Sequence, residues 1–143
     1  MGLTVFTAGT FDLVHSGHVN FLRQCAMLGE VFVALNTDEF IERYKGKPPI
    51  MSYQERYDIL TEFESVDAVF RNSGEEKTSE TIDGILETHP IDIIAIGSDW
   101  ARKDYYKQMG FTQDWLDERG ISLIYIPYTK GISTTDLKRR LQG

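Results

Sequence analysis

Cysteine is almost missing from this chain. Cys25 is the single one, so no internal disulfide forms, and the composition fits a reducing compartment. Its position on the apolar face of a predicted helix points to core packing rather than catalysis. No apolar run is long enough to span a bilayer, and no stretch has the layout of a secretory signal. A soluble, cytoplasmic protein with no membrane partner is expected. Lysine and arginine number 15 against 22 acidic residues, for a net charge of -7, and no basic run appears. Nucleic acid is therefore not an expected partner. Repeats, low-complexity segments and linkers are absent too. The four prolines fall at breaks between apolar segments.

What remains is an alternation of strands and helices in 143 residues, the size of one domain with a real core. Leu3–Ala8, Val31–Leu35, Val66–Phe70, Ile91–Ile96 and Ile121–Ile126 are short apolar runs of the parallel-sheet type. Helical spacing fills the gaps. Val19–Gly29 follows the first run. A helix capped by Asp38 runs through Tyr44, and Ser52-Tyr53-Gln54-Glu55 is a capping box opening a helix to about Phe63. Thr81–Thr88 and Gln113–Arg119 follow, and Ser133 or Thr134 caps a last helix to about Leu141. Asn72 to Thr78 is polar, and residues 101 to 112 have no clear period. Strands separated by helices imply right-handed crossovers and a single five-stranded parallel α/β sheet over residues 1–143.

Chemistry concentrates where the first strand turns into the first helix. Gly9-Thr10-Phe11-Asp12-Leu13-Val14-His15-Ser16-Gly17-His18 places two histidines at i and i+3 there. Ligands of open α/β sheets bind at the carboxyl ends of strands, and helix starts offer free N–H groups to anions. Two imidazoles beside such donors suit a phosphate chain, because imidazole donates hydrogen bonds with little permanent charge near neutral pH. Gly17 admits a ligand close to the backbone. A cap at His15 and a satisfied buried His18 are the plainer alternative.

Other residues carry two readings each. Lys45 and Lys47, in the loop Lys45-Gly46-Lys47-Pro48-Pro49, are either solvated or a mobile arm that brings ammonium groups to phosphate. Arg56, one residue past the capping box, is either a solvated helical arginine or a ligand group. Gly97-Ser98-Asp99-Trp100 closes the fourth strand. Gly97 permits a tight turn, Asp99 can accept from a cytosine amino group or a ribose hydroxyl, and Trp100 stacks on a base or closes the core. Gly131-Ile132-Ser133-Thr134-Thr135 is a hydroxyl-rich helix start able to hold β- and γ-phosphates; an ordinary N-cap explains one of its hydroxyls but not three. His15 and His18 have a spacing usable by zinc but no evident Cys or carboxylate partners, so no protein metal site is expected.

Thr10 to His18 resembles the His-x-Gly-His signature of the nucleotidyltransferase superfamily, and Gly131–Thr135 resembles the second signature of its cytidylyltransferase branch. The likeness covers almost the whole chain except a longer segment near residues 101–120. It implies a Rossmann-like domain and CTP as nucleotide. The implied acceptor is a phosphorylated small alcohol, glycerol 3-phosphate foremost. It also implies Mg2+ carried on the triphosphate, and a homodimer. Phosphoethanolamine, phosphocholine, and polyol or sugar phosphates are rival acceptors, and ATP is a rival nucleotide. By the same likeness His15, His18 and Lys47 are catalytic. Gly9, Thr10, Phe11, Lys45, Arg56, Gly97, Asp99, Trp100, Gly131, Ile132, Ser133 and Thr134 complete the nucleotide site. Asp12 shapes the turn. Tyr128 and Glu64 stand where the family has arginines, and Lys130 where it has glutamate. Arg102, Lys103 and Lys107 are candidates to supply the missing charge. The departures also motivate a second reading, a nucleotide-binding module without turnover.

Overall fold

The computed structural model describes residues 2–73, 78–98, 109–127, 129 and 131–142. Strands β1 (Leu3–Gly9), β2 (Gly29–Asn36), β3 (Ala68–Asn72), β4 (Ile93–Gly97) and β5 (Ser122–Ile126) form one parallel sheet. Its order is β3-β2-β1-β4-β5, with β1 in the middle. Among the described residues the helices are α1 (Ser16–Leu28), α2 (Asp38–Lys45), α3 (Tyr53–Thr61), α4 (Thr78–Leu86), α5 (Gln113–Arg119) and α6 (Thr134–Leu141). The expected α/β architecture with five parallel strands is therefore the observed one.

Alternate residues along the central strands go to opposite faces. Phe6, Phe32, Ala34, Ile94 and Ile96 pack with Ile82 and Ile85 of α4 and Leu116 of α5. Val5, Val31, Val33, Leu35, Ile93 and Ala95 pack on the other face, with Leu22 and Cys25 of α1 and Leu60 of α3. Both faces are covered, which explains the near-continuous apolar runs in these strands. Burial pushes the Cys25 thiol up to about 12, so it stays protonated and serves as packing.

Several boundaries moved. β3 and β4 each begin two residues later than the apolar runs suggest, and for the same reason. Asp67 and Asp92 precede them, and their carboxylates take the backbone N–H groups of Val31 (2.7 Å) and Thr4 (2.8 Å). A side chain thus closes the end of the ladder before regular pairing starts. α2 is capped by Thr37 rather than Asp38: the Thr37 hydroxyl accepts from the Phe40 N–H, and Asp38 is the first helical residue. The Ser52 capping box forms as expected, with both reciprocal bonds made. α4 starts at Thr78, three residues earlier than its apolar period, because Thr78 and Ser79 are buried at its first turn. At Gly29, where α1 meets β2, a Cβ would collide with the Leu3 carbonyl, so the tight helix-to-strand junction needs glycine.

Candidate functional site

The loop from β1 to α1 is strained. Phe11 and Leu13 adopt φ of 51° and 50°, a left-handed region that costs side-chain-bearing residues about 1–3 kcal/mol each. Asp12, buried between them, holds the strain in place. Its carboxylate accepts from the N–H groups of Ile50 (2.8 Å) and Met51 (2.9 Å), and its carbonyl accepts from the Thr134 hydroxyl (2.8 Å). One residue therefore ties together the corner, the segment after the Lys45–Pro49 loop, and the far end of the chain.

His15 is the N-cap of α1, and its Nδ1 accepts from the Gly17 N–H at 3.0 Å. His18 reaches back, and its Nδ1 accepts from the His15 N–H at 3.1 Å. This is a capping box built from imidazoles instead of hydroxyl and carboxylate. Both Nδ1 atoms face donors, which assigns the neutral Nε2–H tautomer to each ring. Each histidine is left with an Nε2–H to offer a ligand. The capping role of His15 thus leaves its Nε2–H unspent, and the two readings do not exclude each other. The rings lie 4.0 Å apart. Burial lowers the pKa of His15. Burial, then the charge of His15, pushes His18 down to about 4 against the opposing pull of Asp12. A Cβ on Gly17 would lie 2.8 Å from Cε1 of His15, so only glycine lets this N–H reach the ring.

The hydroxyl corner is simpler. Ser133, not Thr134, caps α6, its hydroxyl accepting from the Asp136 N–H at 3.0 Å. Thr134 instead makes the bond to Asp12. The Thr129 hydroxyl accepts from the Asn20 amide of α1 at 3.1 Å.

These corners open on a cavity of about 590 Å3 at the carboxyl end of the sheet. Gly9, Thr10, Phe11, His15, His18, Gly97, Ile132, Ser133 and Thr134 line it, as expected from sequence. Four expected residues do not. Gly131 sits just outside the lining and is exposed. Lys45 is exposed at the end of α2, next to the lining residue Tyr44 and not in the expected loop, because α2 runs on to the Gly46 cap; Lys47 is exposed just beyond it. Arg56 is wholly buried behind the wall. Its guanidinium donates to the carbonyls of Met51 (3.0 Å), Thr10 (2.8 Å) and Asn36 (2.8 Å), and to Asp38 at 2.7 Å. It is neither solvated nor turned to the cavity, but holds the ends of β1 and β2 together. Asp99, Trp100, Arg102, Lys103, Lys107, Tyr128 and Lys130 lie outside the described residues. Glu64 borders a separate groove with Arg23 and Phe63.

The lining also includes residues the sequence did not single out: Asn36, Phe40, Tyr44, Asn72, Thr78 and Thr129. Asn36 and Asn72 end β2 and β3. The rule that drew attention to Gly9 and Gly97, ligands at strand carboxyl ends, applies equally to these two. Among the described residues, no group of three or more His, Cys, Asp or Glu is placed to hold a metal ion. No helix among them is long and apolar enough to cross a membrane.

A doubly covered parallel sheet, with an anion-seeking corner on its central strand and a hydroxyl-capped helix closing over it, defines a Rossmann-like protein of the nucleotide-binding class. Comparison narrows the class: the chain belongs to the Cytidylyltransferase-like family, which matches residues 6–140. It is 37% identical over 141 residues to the glycerol-3-phosphate cytidylyltransferase of Bacillus subtilis (strain 168), covering 97% of both chains. It is 34% identical to the ethanolamine-phosphate cytidylyltransferase of Dictyostelium discoideum, over 97% of this chain and 36% of that protein. Among solved structures, the lipopolysaccharide core biosynthesis protein from Thermoplasma volcanium GSS1 has a TM-score of 0.68 and 25% identity, covering 90% of this chain and 98% of that one.

Proposed function

We propose that this protein transfers CMP from CTP to glycerol 3-phosphate, giving CDP-glycerol and pyrophosphate. The observation that carries the reading is the Thr134–Asp12 bond of 2.8 Å, which brings the histidine corner and the hydroxyl corner around one cavity. Likeness to a glycerol-3-phosphate cytidylyltransferase over nearly the whole chain supports the acceptor.

An oxygen of the acceptor phosphate attacks the α-phosphorus of CTP. A new P–O bond forms, and the bond from the α-phosphorus to the bridging oxygen breaks. Pyrophosphate leaves with that electron pair. The attacking phosphate is already ionised, so no strong general base is needed. His15 and His18 donate through Nε2–H to the non-bridging oxygens, where negative charge spreads in the transition state. Their lowered pKa keeps them neutral and their Nδ1 bonds intact at working pH. Backbone N–H groups at the start of α6 and the hydroxyl of Ser133, whose hydrogen is not used by its cap bond, hold the β- and γ-phosphates, while Thr134 spends its hydroxyl hydrogen on Asp12. Lys45 and Lys47 reach in from the rim toward the α-phosphate.

Magnesium enters with the nucleotide. The described cavity wall contains no carboxylate, so its donor set favours phosphate oxygens over a cation. The ion would be carried by the triphosphate and would neutralise part of its charge. A cytoplasmic homodimer completes the reading.

The test is pyrophosphate release by the purified protein. CTP and ATP are each paired with glycerol 3-phosphate, phosphoethanolamine, phosphocholine and a polyol phosphate. The expected result is CTP-dependent turnover fastest with glycerol 3-phosphate. CTP binding without turnover for any acceptor would leave a non-catalytic nucleotide-binding module instead.

A further inference from the structure

The histidine corner on β1 divides the cavity in two. On the β4–β5 side are Gly97, Thr129, Ser133 and Thr134, which suit the triphosphate; on the β2–β3 side are Asn36, Phe40, Tyr44, Asn72 and Thr78. In-line displacement at phosphorus sets the attacking oxygen opposite the leaving group. With pyrophosphate held at α6, the acceptor enters from the β2–β3 side, and its carbon tail rests against that wall. This step depends on the function proposed above.

The chemistry of that wall is distinctive. The Tyr44 hydroxyl, on the last turn of α2, lies 3.0 Å from the Thr10 hydroxyl, and Tyr44 is 44% exposed. Thr10 also accepts from the Asn36 amide at 3.3 Å. The oxygen of Asn36 is taken by Asn72 (2.9 Å), and Asn72 is satisfied in turn by Thr78 and Thr81. One hydroxyl hydrogen bridges Tyr44 and Thr10. The other is left to donate into the cavity, together with hydroxyl lone pairs and the second Asn36 N–H. No carboxylate lines this side among the described residues, and Asp38 of the same helix is bound to Arg56.

We propose that Tyr44 is a specificity-determining residue: its phenol, backed by Thr10 and Asn36, reads a hydroxyl on the acceptor tail and selects a neutral polyol phosphate over an ammonium-bearing one. An alcohol both donates and accepts, and so does this trio. An ammonium group only donates and carries a full charge. The wall offers it hydroxyl lone pairs but, among the described residues, no carboxylate to balance that charge, and the wall's own donors are left unpaired. The phenol at the rim and the buried amide behind it give a graded surface, wet at the mouth and fixed at depth.

The experiment compares wild type with Tyr44→Phe, which keeps the ring, in pyrophosphate-release kinetics with CTP and either glycerol 3-phosphate or phosphoethanolamine. Loss of one neutral hydrogen bond to the acceptor raises its KM by about tenfold. The expected pattern is that rise for glycerol 3-phosphate, KM for CTP within about twofold, and kcat/KM for phosphoethanolamine unchanged. Selectivity then falls about tenfold. Equal selectivity in the two proteins overturns the inference while leaving cytidylyl transfer standing. So does a rise in both KM values together, which would mean that Tyr44 acts through Thr10 on the nucleotide. Wild-type protein inactive with every acceptor sinks both this inference and the reaction on which it rests.

Discussion

Arg56 and the lysine pair Lys45 and Lys47 come from the same short span of chain, and all are cations beside the same cavity. Their settings are opposite. Arg56 is wholly buried, with its donors spent on three carbonyls and one carboxylate. The lysines are exposed, Lys45 at the last residue of α2 and Lys47 in the glycine and proline segment that follows it. Arginine suits the first setting because its planar fork serves several fixed acceptors at once, and lysine the second because a compact ammonium on a flexible stem reaches a moving target. A wall that must keep its shape and an arm that must reach use different cations.

The strongest way to break this contrast is Arg56→Met. Removing a buried cation strands Asp38 and the carbonyls, and costs about 3–5 kcal/mol of stability. Urea denaturation should show that loss, or no folded protein at all. A fully stable Arg56→Met protein with only a raised KM for CTP would put Arg56 in the ligand site after all.

The histidines stand between wall and arm, since they are part of the wall and also face the cavity. His18→Ala should lower kcat by about 100-fold or more, as for loss of one transition-state donor. Near-normal turnover in a folded His18→Ala protein would remove it from the mechanism. His18 also sets a pH dependence. The unfolded chain takes up its proton near pH 6.5, but the folded protein holds the ring neutral down to about 4. Between these values the unfolded state binds more protons, so stability falls as pH falls from 6.5 to 4 and gains no further slope below. The whole effect is about 3 kcal/mol, and it should flatten in the His18→Ala protein when Tm is followed against pH.

The smallest effect is expected at the rim. Lys47→Ala should cut kcat/KM for CTP about tenfold, with less effect at high salt, and leave stability within about 0.5 kcal/mol. A matching loss of stability would erase the distinction from Arg56.

Much of this was legible in the residues alone. The apolar runs announced five strands, and the Ser52 box announced α3, because both signals are local. The histidine pair pointed to the cavity corner for the same reason. Boundaries were less legible where a side chain competes with the ladder, as Asp67 and Asp92 do. Asn36 and Asn72 were missed because a lone asparagine at a strand end looks like any turn residue. Their shared network joins positions 36 apart in sequence.

The order of amino acids by itself determined the alternating strands and helices, the imidazole capping box and the hydroxyl-rich start of α6. Each depends on neighbours within a few positions. Only the tertiary structure decided that Arg56 is a brace and Tyr44 part of the wall, and that Asp12 joins both corners. Those roles depend on which carbonyls, amides and hydroxyls are brought within about 3 Å from distant parts of the chain, and hydrogen bonds that short-ranged exist only once the sheet has set its strand order.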